Sequence, residues 1–342
     1  MINTIKNNLN TNANTNIIGT SNNHLVSIII PVAKINNYII EAISYYLNMS
    51  YKNFEIIILP DEEENYTFKK SVIVPTGHVG PATKRDIGAK NAKGDILAFI
   101  DDDAYPQANW LLNALKILKD DSIAAVGGPA ITPEEDKFFQ KVSGSVFLTK
   151  ISGIDPRKYY PIGKSADVKE WPSVNFIIKK DIFLLINGFN SDLWPGEDTE
   201  LCFKITEIGK RIVYDPYTIV YHHRRGNFAM HLRQIGNYGI VRGWLAKKHP
   251  LHSFKLKYFL SSFFVLYFLM TFLLLFLDFK LFTYMFLGLL FYILILLYAF
   301  FDINKKTKNV KISLFGTVYI FITHIYYGIS FSYGFLFVKK IT

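Results

Sequence analysis

The stretch FIDDDAYP, from Phe99 to Pro106, decides the fold. It completes an apolar run, DILAFID (Asp95–Asp101), and stands just before a turn and a helix that opens near Asn109. Three adjacent carboxylates repel, and each resists ionising beside its neighbours. On a strand, Asp101 and Asp103 share one face while Asp102 takes the other. Two carboxylates on one face of a strand end suit a hard divalent cation with oxygen ligands. A solvated acidic turn, with one aspartate capping the next helix, accounts for the same residues. Spacing alone leaves both readings open.

The flanks alternate. VSIIIPV (Val26–Val32), FEIIILP (Phe54–Pro60) and SVIVP (Ser71–Pro75) are short, β-branched, apolar runs that end at or beside a proline, the pattern of buried strands. Between them, YIIEAISYYLNMS (Tyr38–Ser50) places Ile39, Ile43, Tyr46 and Leu47 on one helical side. TKRDIGAKNAKG (Thr83–Gly94) is a helix stopped by Gly94. Downstream come a strand in IAAVGGPAIT, a strand and helix in NFIIKKDIFLLINGF (Asn175–Phe189), and a helix in DTELCFKITEIG (Asp198–Gly209) with Leu201, Cys202 and Ile205 inward. RIVYDPYTIVYHHRR is extended, and residues 133–172 are irregular and aromatic-rich. Strand alternating with helix predicts an α/β fold, a mostly parallel sheet with helices on both faces. Ligands of such sheets sit at the carboxyl ends of the strands, where FIDDDAYP lies.

Composition divides the 342 residues in two. The net charge of +10 is localised: residues 1–215 carry 23 Lys+Arg against 26 Asp+Glu, whereas residues 216–277 hold eight basic residues and no acid. A basic belt beside an apolar tail fits an anionic membrane surface. Nucleic acid as a partner is excluded, because the soluble part lacks basic residues interleaved with stacking aromatics. Residues 1–24, rich in Asn and Thr, are read as a flexible arm without a secretory signal. Cys202 is the only cysteine, which rules out an internal disulfide framework and a cysteine-based zinc site.

The apolar excess collects in three segments, 258–277, 281–301 and 312–338, each without charge and long enough to cross a bilayer core of about 30 Å. The first two form a hairpin around the short loop DFK. The third contains His324 and several Tyr and Ser; it is read as a span, with a surface-lying pair of helices as the alternative. Lysines outnumber acids in 242–257 and in the loop 302–311. The positive-inside tendency then places the soluble domain in the cytoplasm of a multi-pass cell-membrane protein. Lys339 and Lys340 would fall on the far side if the third segment crosses.

SIIIPV, GPATKRDIGAKNAKGDILAFIDDDAYP, NFIIKKDIFLLINGF and WPGEDTELCFKI occur in the order seen in family 2 glycosyltransferases. The chain resembles that family from about Val26 to about Arg225. The resemblance implies a GT-A fold, a Rossmann-like sheet binding a nucleotide-sugar, in residues 25–228. An interfacial basic helix or linker (229–257) and a transmembrane region (258–338) follow. Asp101-Asp102-Asp103 is similar to the family's Asp-X-Asp motif. By that similarity Asp101 contacts the donor nucleotide and Asp103 holds Mg²⁺ or Mn²⁺, which neutralises the departing diphosphate.

Other positions follow residue by residue. Pro31 and Val32 match the donor-base wall, or are an ordinary strand end. Asp61 stands where the family has two acids and contacts base or ribose. Arg85 matches an arginine that reaches the nucleotide or diphosphate, although Asp86 replaces the Asn that often follows it. In PGEDTEL the resemblance makes Asp198 the general base and Glu197 its orienting partner; Asp198 would also suit a helix cap. His222 fits a metal-side histidine. Arg224 and Arg225 clamp the diphosphate or face the membrane surface, and Trp194 stacks on a sugar or packs.

The expected activity is transfer of a sugar, with inversion, to a hydroxyl of a lipid-linked or cell-surface glycan acceptor. RQIGNYGIVRGWLAKKHP (Arg233–Pro250) has the Gln, Arg and Trp of the processive members at the wrong spacing, which argues against a polysaccharide synthase. A non-catalytic membrane scaffold is the alternative from another class. A dinucleotide-dependent dehydrogenase is disfavoured because no G-x-G-x-x-G follows the first strand.

Overall fold

The buried apolar runs become strands because each can bury both faces between helices. The computed structural model describes residues 24–189 and 195–341. The expected arm up to residue 23, and Trp194, lie outside the described residues. Eleven strands are described: β1 (Val26–Pro31), β2 (Phe54–Leu59), β3 (Ser71–Ile73), β4 (Ile96–Ile100), β5 (Ala104–Pro106), β6 (Ile123–Gly127), β7 (Ala130–Ile131), β8 (Ala166–Val168), β9 (Asn175–Lys179), β10 (Arg211–Tyr214) and β11 (Val220–His222). The soluble helices are α1 (Asn37–Asn48), α2 (Pro81–Asn91), α3 (Trp110–Leu118), α4 (Phe138–Ser145), α5 (Lys180–Leu185) and α6 (Glu197–Glu207).

The main sheet has the order β3-β2-β1-β4-β9-β6-β10-β8. β1 to β4 are mutually parallel, as is the pair β6–β10. β9 runs antiparallel between β4 and β6, and β8 antiparallel beside β10. The sheet is therefore mixed, and the expected parallel pairing holds among β3-β2-β1-β4 and between β6 and β10. Alternate residues feed opposite layers. Ile28, Ile30, Ile56 and Ile58 pack with Ile39, Ile43 and Tyr46 of α1 and Trp110 and Leu111 of α3. Ile29, Ile57, Leu97 and Phe99 pack with α2, α5 and the Leu201, Cys202 and Ile205 face of α6.

A second small sheet, β5-β11-β7, does the positioning. β5 leaves β4 after only the three aspartates. β11 pairs with it antiparallel in the register His222↔Ala104, which sets His222 beside Asp103.

α7 (Phe228–Lys248), capped by the Asn227 side chain, begins three residues after Arg225. Three long apolar helices follow: α8 (Leu256–Leu277), α9 (Phe279–Thr307) and α10 (Val310–Leu336). All three have the length and composition of a membrane crossing. Only Asp278 separates α8 from α9, and it caps α9 by accepting from the Leu281 N–H at 3.0 Å. The hairpin closes through Phe264 on Tyr292, ring centroids 4.3 Å apart, and through Tyr267, whose hydroxyl donates to the Met285 carbonyl at 2.5 Å.

Candidate active site

The three aspartates separate into distinct environments. Asp101 Oδ1 accepts from Arg85 Nη2 at 2.7 Å. Asp103 Oδ1 lies 2.9 Å from His222 Nε2, and its Oδ2 accepts from Arg225 Nη1 at 3.3 Å. Burial opposes ionisation of Asp103, but His222 and the two arginines hold its carboxyl down at about 2. Asp102 faces away and accepts from Asn36 Nδ2 at 2.6 Å. Burial, with its acidic neighbours, pushes Asp102 up to about 6. Because Asn36 also caps α1, Asp102 ties the motif to that helix.

Asp101, Asp103 and His222 each offer one ligand atom, all within 4.8 Å of one another. Two carboxylate oxygens and one imidazole nitrogen form a donor set suited to Mn²⁺ or Mg²⁺, so the residues fit a divalent ion. Arg224 Nη1 donates to His222 Nδ1 at 2.7 Å, which leaves the ring proton on Nε2, facing Asp103. Ligation through Nε2 requires that proton to move to Nδ1, so Arg224 must release that nitrogen.

The two arginines differ. Arg224 is buried, with Nε on Thr132 Oγ1 at 3.2 Å, Nη2 on the Ala130 carbonyl and its guanidinium 4.9 Å from the Tyr159 ring. It braces His222 and does not reach the membrane surface. Arg225 is half-buried, and its described bond is to Asp103.

The Glu-Asp pair opens α6. Gly196, at φ +116°, occupies the N-cap position. Asp198 is the second helical residue and accepts from the Thr199 N–H at 2.7 Å. A side chain at Gly196 would be strained, and its Cβ would come 2.8 Å from Val241 Cγ1 of α7. Burial and the adjacent Asp198 charge push Glu197 up to about 7, against the pull of Arg85. Burial raises Asp198 as well, opposed by Lys158. Arg85 joins the two motifs: while Nη2 holds Asp101, Nη1 donates to Glu197 Oε1 at 3.0 Å.

At the first two strands, Pro31 ends β1 and the Val32 carbonyl accepts from the buried Lys84 Nζ at 2.5 Å. The same ammonium reaches the Leu59 carbonyl at 3.1 Å and Asp61 Oδ1 at 2.5 Å. Lys84, more than any other bond, holds Asp61 below the usual carboxylate range. His78 Nδ1 lies 2.9 Å from the other oxygen of Asp61. Asp86 accepts from the Phe189 N–H at 3.0 Å and so fixes the turn before the segment 190–194. The geometry thus gathers Asp101, Asp103, His222, Arg225, Arg85, Glu197 and Asp198, with Pro31, Val32 and Asp61 at the neighbouring strand ends.

Sequence reasoning missed Lys84 as the pin of the first two strands. It also missed Asp136, whose Oδ1 lies 2.5 Å from His223 Nδ1 behind β11, and Glu170, which accepts from Arg242 Nη1 at 3.2 Å. None has a local signal, since each partner is distant in sequence. A cleft of about 770 Å³, lined by His24, Asp95, Leu118 and Lys179 among others, opens at the opposite, strand-start end of the sheet. It is remote from these groups.

An α/β sheet of this order, with an Asp-X-Asp turn after its fourth strand and a Glu-Asp pair opening a helix beside it, defines a GT-A glycosyltransferase domain. Residues 27–183, somewhat under half of the chain, match the sequence model of glycosyl transferase family 2. Among relatives, a pre-mycofactocin glycosyltransferase of Mycobacterium tuberculosis is 27% identical over 171 residues, 50% of this chain. The match spans only 36% of that relative's length. A Methanococcus voltae dolichyl N-acetyl-alpha-D-glucosaminyl phosphate 3-beta-D-2,3-diacetamido-2,3-dideoxy-beta-D-glucuronosyltransferase is 22% identical over 244 residues, 66% of this chain and 75% of the relative. Among solved structures, a Pyrobaculum calidifontis mannosyltransferase in complex with GDP-Man and Mn²⁺ aligns over 69% of each chain, with 17% identity and a TM-score of 0.47. So remote a structural likeness adds nothing to the topology above.

Proposed function

We propose that this chain is a membrane-anchored, metal-dependent glycosyltransferase that moves a sugar, with inversion, from a nucleoside diphosphate to a hydroxyl of a membrane-associated acceptor. One observation carries the reading: the cation-binding cluster Asp101–Asp103–His222 and the Glu197–Asp198 pair are joined through the single buried guanidinium of Arg85.

The acceptor oxygen attacks the anomeric carbon as the bond from that carbon to the diphosphate breaks, and Asp198 takes the hydroxyl proton. A base raised by burial is better matched to that task near neutral pH than a solvated aspartate. Glu197, fixed by Arg85, orients Asp198 and the acceptor. Arg225 releases Asp103 and turns its guanidinium to the diphosphate, where a planar fork suits phosphate oxygens. A bound Mn²⁺ or Mg²⁺, held by Asp101, Asp103 and His222, supplies neutralisation of the leaving group's charge. Asp61, Pro31 and Val32 line the nucleotide side.

The acceptor's membrane association rests on α7. It touches Gly196 just before the pair, through Val241 and Leu245, and it continues toward the apolar helices. The test is an assay of the full-length protein in lipid nanodiscs against a panel of nucleotide-sugars with Mn²⁺. Release of nucleoside diphosphate is expected with one donor class, lost on chelation and in Asp103→Ala. Background release with every donor, in the presence of extracted membrane lipids as acceptor, contradicts the reading.

A further inference from the structure

α10 is as long and nearly as apolar as a span, yet its surroundings are not those of one. Its start lies against the end of α9: Ser313 Oγ donates to Asn304 Oδ1 at 3.4 Å. Its last turn lies against the start of α8: Phe335 packs on Phe259, centroids 5.3 Å apart, and beyond it the Lys339 carbonyl accepts from Trp244 Nε1 at 3.2 Å. The start of α8 and the end of α9 emerge on one side of any bilayer that both helices cross, because two crossings return the chain to its starting side. Both ends of α10 therefore sit on that same side.

The contacts along its length agree. Phe315 meets Phe138 of α4, centroids 5.5 Å apart. His324 Nε2 lies 2.7 Å from the Ile151 carbonyl, which belongs to the soluble domain. A Cβ at Gly239 of α7 would come 2.9 Å from Ser330. From residue 315 to the helix end at residue 336 an α-helical rise covers roughly 32 Å, about the thickness of a hydrocarbon core. A crossing α10 would carry Ile151 and its irregular backbone to mid-bilayer, where unsatisfied peptide groups are costly.

The exposed face completes the pattern. Leu314, Val318, Ile329, Tyr333 and Leu336 are exposed and fall on one side of α10. α8 differs in degree: its last turns expose Phe272, Leu273, Leu275, Phe276 and Leu277 over more than half of the circumference, with Thr271 and Leu274 buried on the remaining side. A helix apolar on one exposed side and covered by the catalytic domain on the other can lie in the interface plane with its bare side toward lipid.

We propose that α10 lies in the membrane surface as the floor of the catalytic domain, and that only the α8–α9 hairpin crosses the bilayer. Lys339 and Lys340 then stand on the same side as Lys247, Lys248, Lys255, Lys257, Lys305 and Lys306, while the far tip of the hairpin holds only Asp278 and Lys280. The basic belt is thereby gathered on one leaflet, where anionic headgroups attract it. This placement does not depend on the glycosyl-transfer reading.

Accessibility labelling of the full-length chain in sealed, oriented membrane vesicles tests it. The sole native cysteine, Cys202, is fully buried, so single cysteines at exposed lysines can be read directly with a membrane-impermeant maleimide. Lys69→Cys reports the catalytic domain, Lys340→Cys the segment after α10, and Lys280→Cys the hairpin tip. Lys340→Cys is expected to label from the same face as Lys69→Cys, with no gain on permeabilisation. Lys280→Cys labels from that face only after permeabilisation, with a several-fold gain. Labelling of Lys340→Cys from the opposite face overturns the in-plane helix. Labelling of Lys280→Cys from the catalytic face overturns the crossing hairpin.

Discussion

The strand-end site and the helical floor beneath it are held together by different forces. At the strand ends, charged and polar groups within hydrogen-bond distance set the geometry: Arg85 between Asp101 and Glu197, His222 and Arg225 on Asp103, Lys84 on Asp61. In the floor, α7 and α10 meet by close backbone approach, and a Cβ at Gly243 would lie 2.2 Å from the Phe331 carbonyl. The first region should therefore be sensitive to charge, and the second to volume. Substitutions that exchange those sensitivities break the comparison.

The largest expected effect is on catalysis. Asp198→Asn removes the proton acceptor at nearly constant shape, and transfer is expected to fall by roughly 10²–10⁴-fold while metal-dependent nucleotide binding persists. Parallel loss of nucleotide binding would erase the division between the donor cluster and the Glu-Asp pair. Next comes Arg85→Met. It leaves two partly or fully buried carboxylates without their shared cation, a loss of about 3–5 kcal/mol in denaturant unfolding of the full-length protein. Arg85→Lys keeps the charge but not the fork that holds both carboxylates, so it is expected to fall between. A Met variant as stable as the parent would show that charge does not hold this region.

Gly243→Ala probes the other side. It adds volume without charge and is expected to cost about 1–3 kcal/mol, with nucleotide affinity unchanged. A tenfold weaker nucleotide affinity would mean that the floor and the donor site are one mechanical unit.

The smallest effect is a pH dependence. Burial raises Asp86 from 3.8 to about 6. Between those values the folded chain keeps a proton that the unfolded chain has released, so stability falls as pH rises through that window. Asp86→Asn keeps an oxygen for the Phe189 N–H and removes the titration. It should flatten the thermal-stability profile from about pH 4 to 6. The change is at most about 3 kcal/mol, and less because solvent screens the partly exposed side chain.

The two regions also differed in how far the sequence disclosed them. β1, β2 and β4 were legible because a buried parallel strand must be a continuous apolar run, and VSIIIPV, FEIIILP and DILAFID are such runs. The reversed direction of β9 was not legible: NFIIK is equally apolar either way, and its polarity is set by the connection through residues 133–172. The carboxylate motifs could be picked out because their chemistry is concentrated in a few adjacent residues. Their partners could not, since Arg85 meets Glu197 across 112 positions and Asn36 meets Asp102 across 66. Arg85, which the resemblance assigns to the nucleotide, also has bonds to Asp101 and Glu197 that no local pattern announced. Hydropathy ranks α10 at 1.4, below the 2.4 of α8 and α9, yet leaves all three apolar enough to cross. What separates them is the cover supplied by α7 and α4, which no window over residues 312–338 contains.

The central claim is that the aspartate turn is a metal-dependent diphosphate site. Calorimetric titration of nucleoside diphosphates into the full-length protein, with and without Mn²⁺, tests it most directly beside the Asp103→Ala variant. Saturable binding of one nucleoside diphosphate is expected, requiring the metal and disappearing in Asp103→Ala. Binding of equal strength without the metal, or unchanged binding in Asp103→Ala, would contradict it.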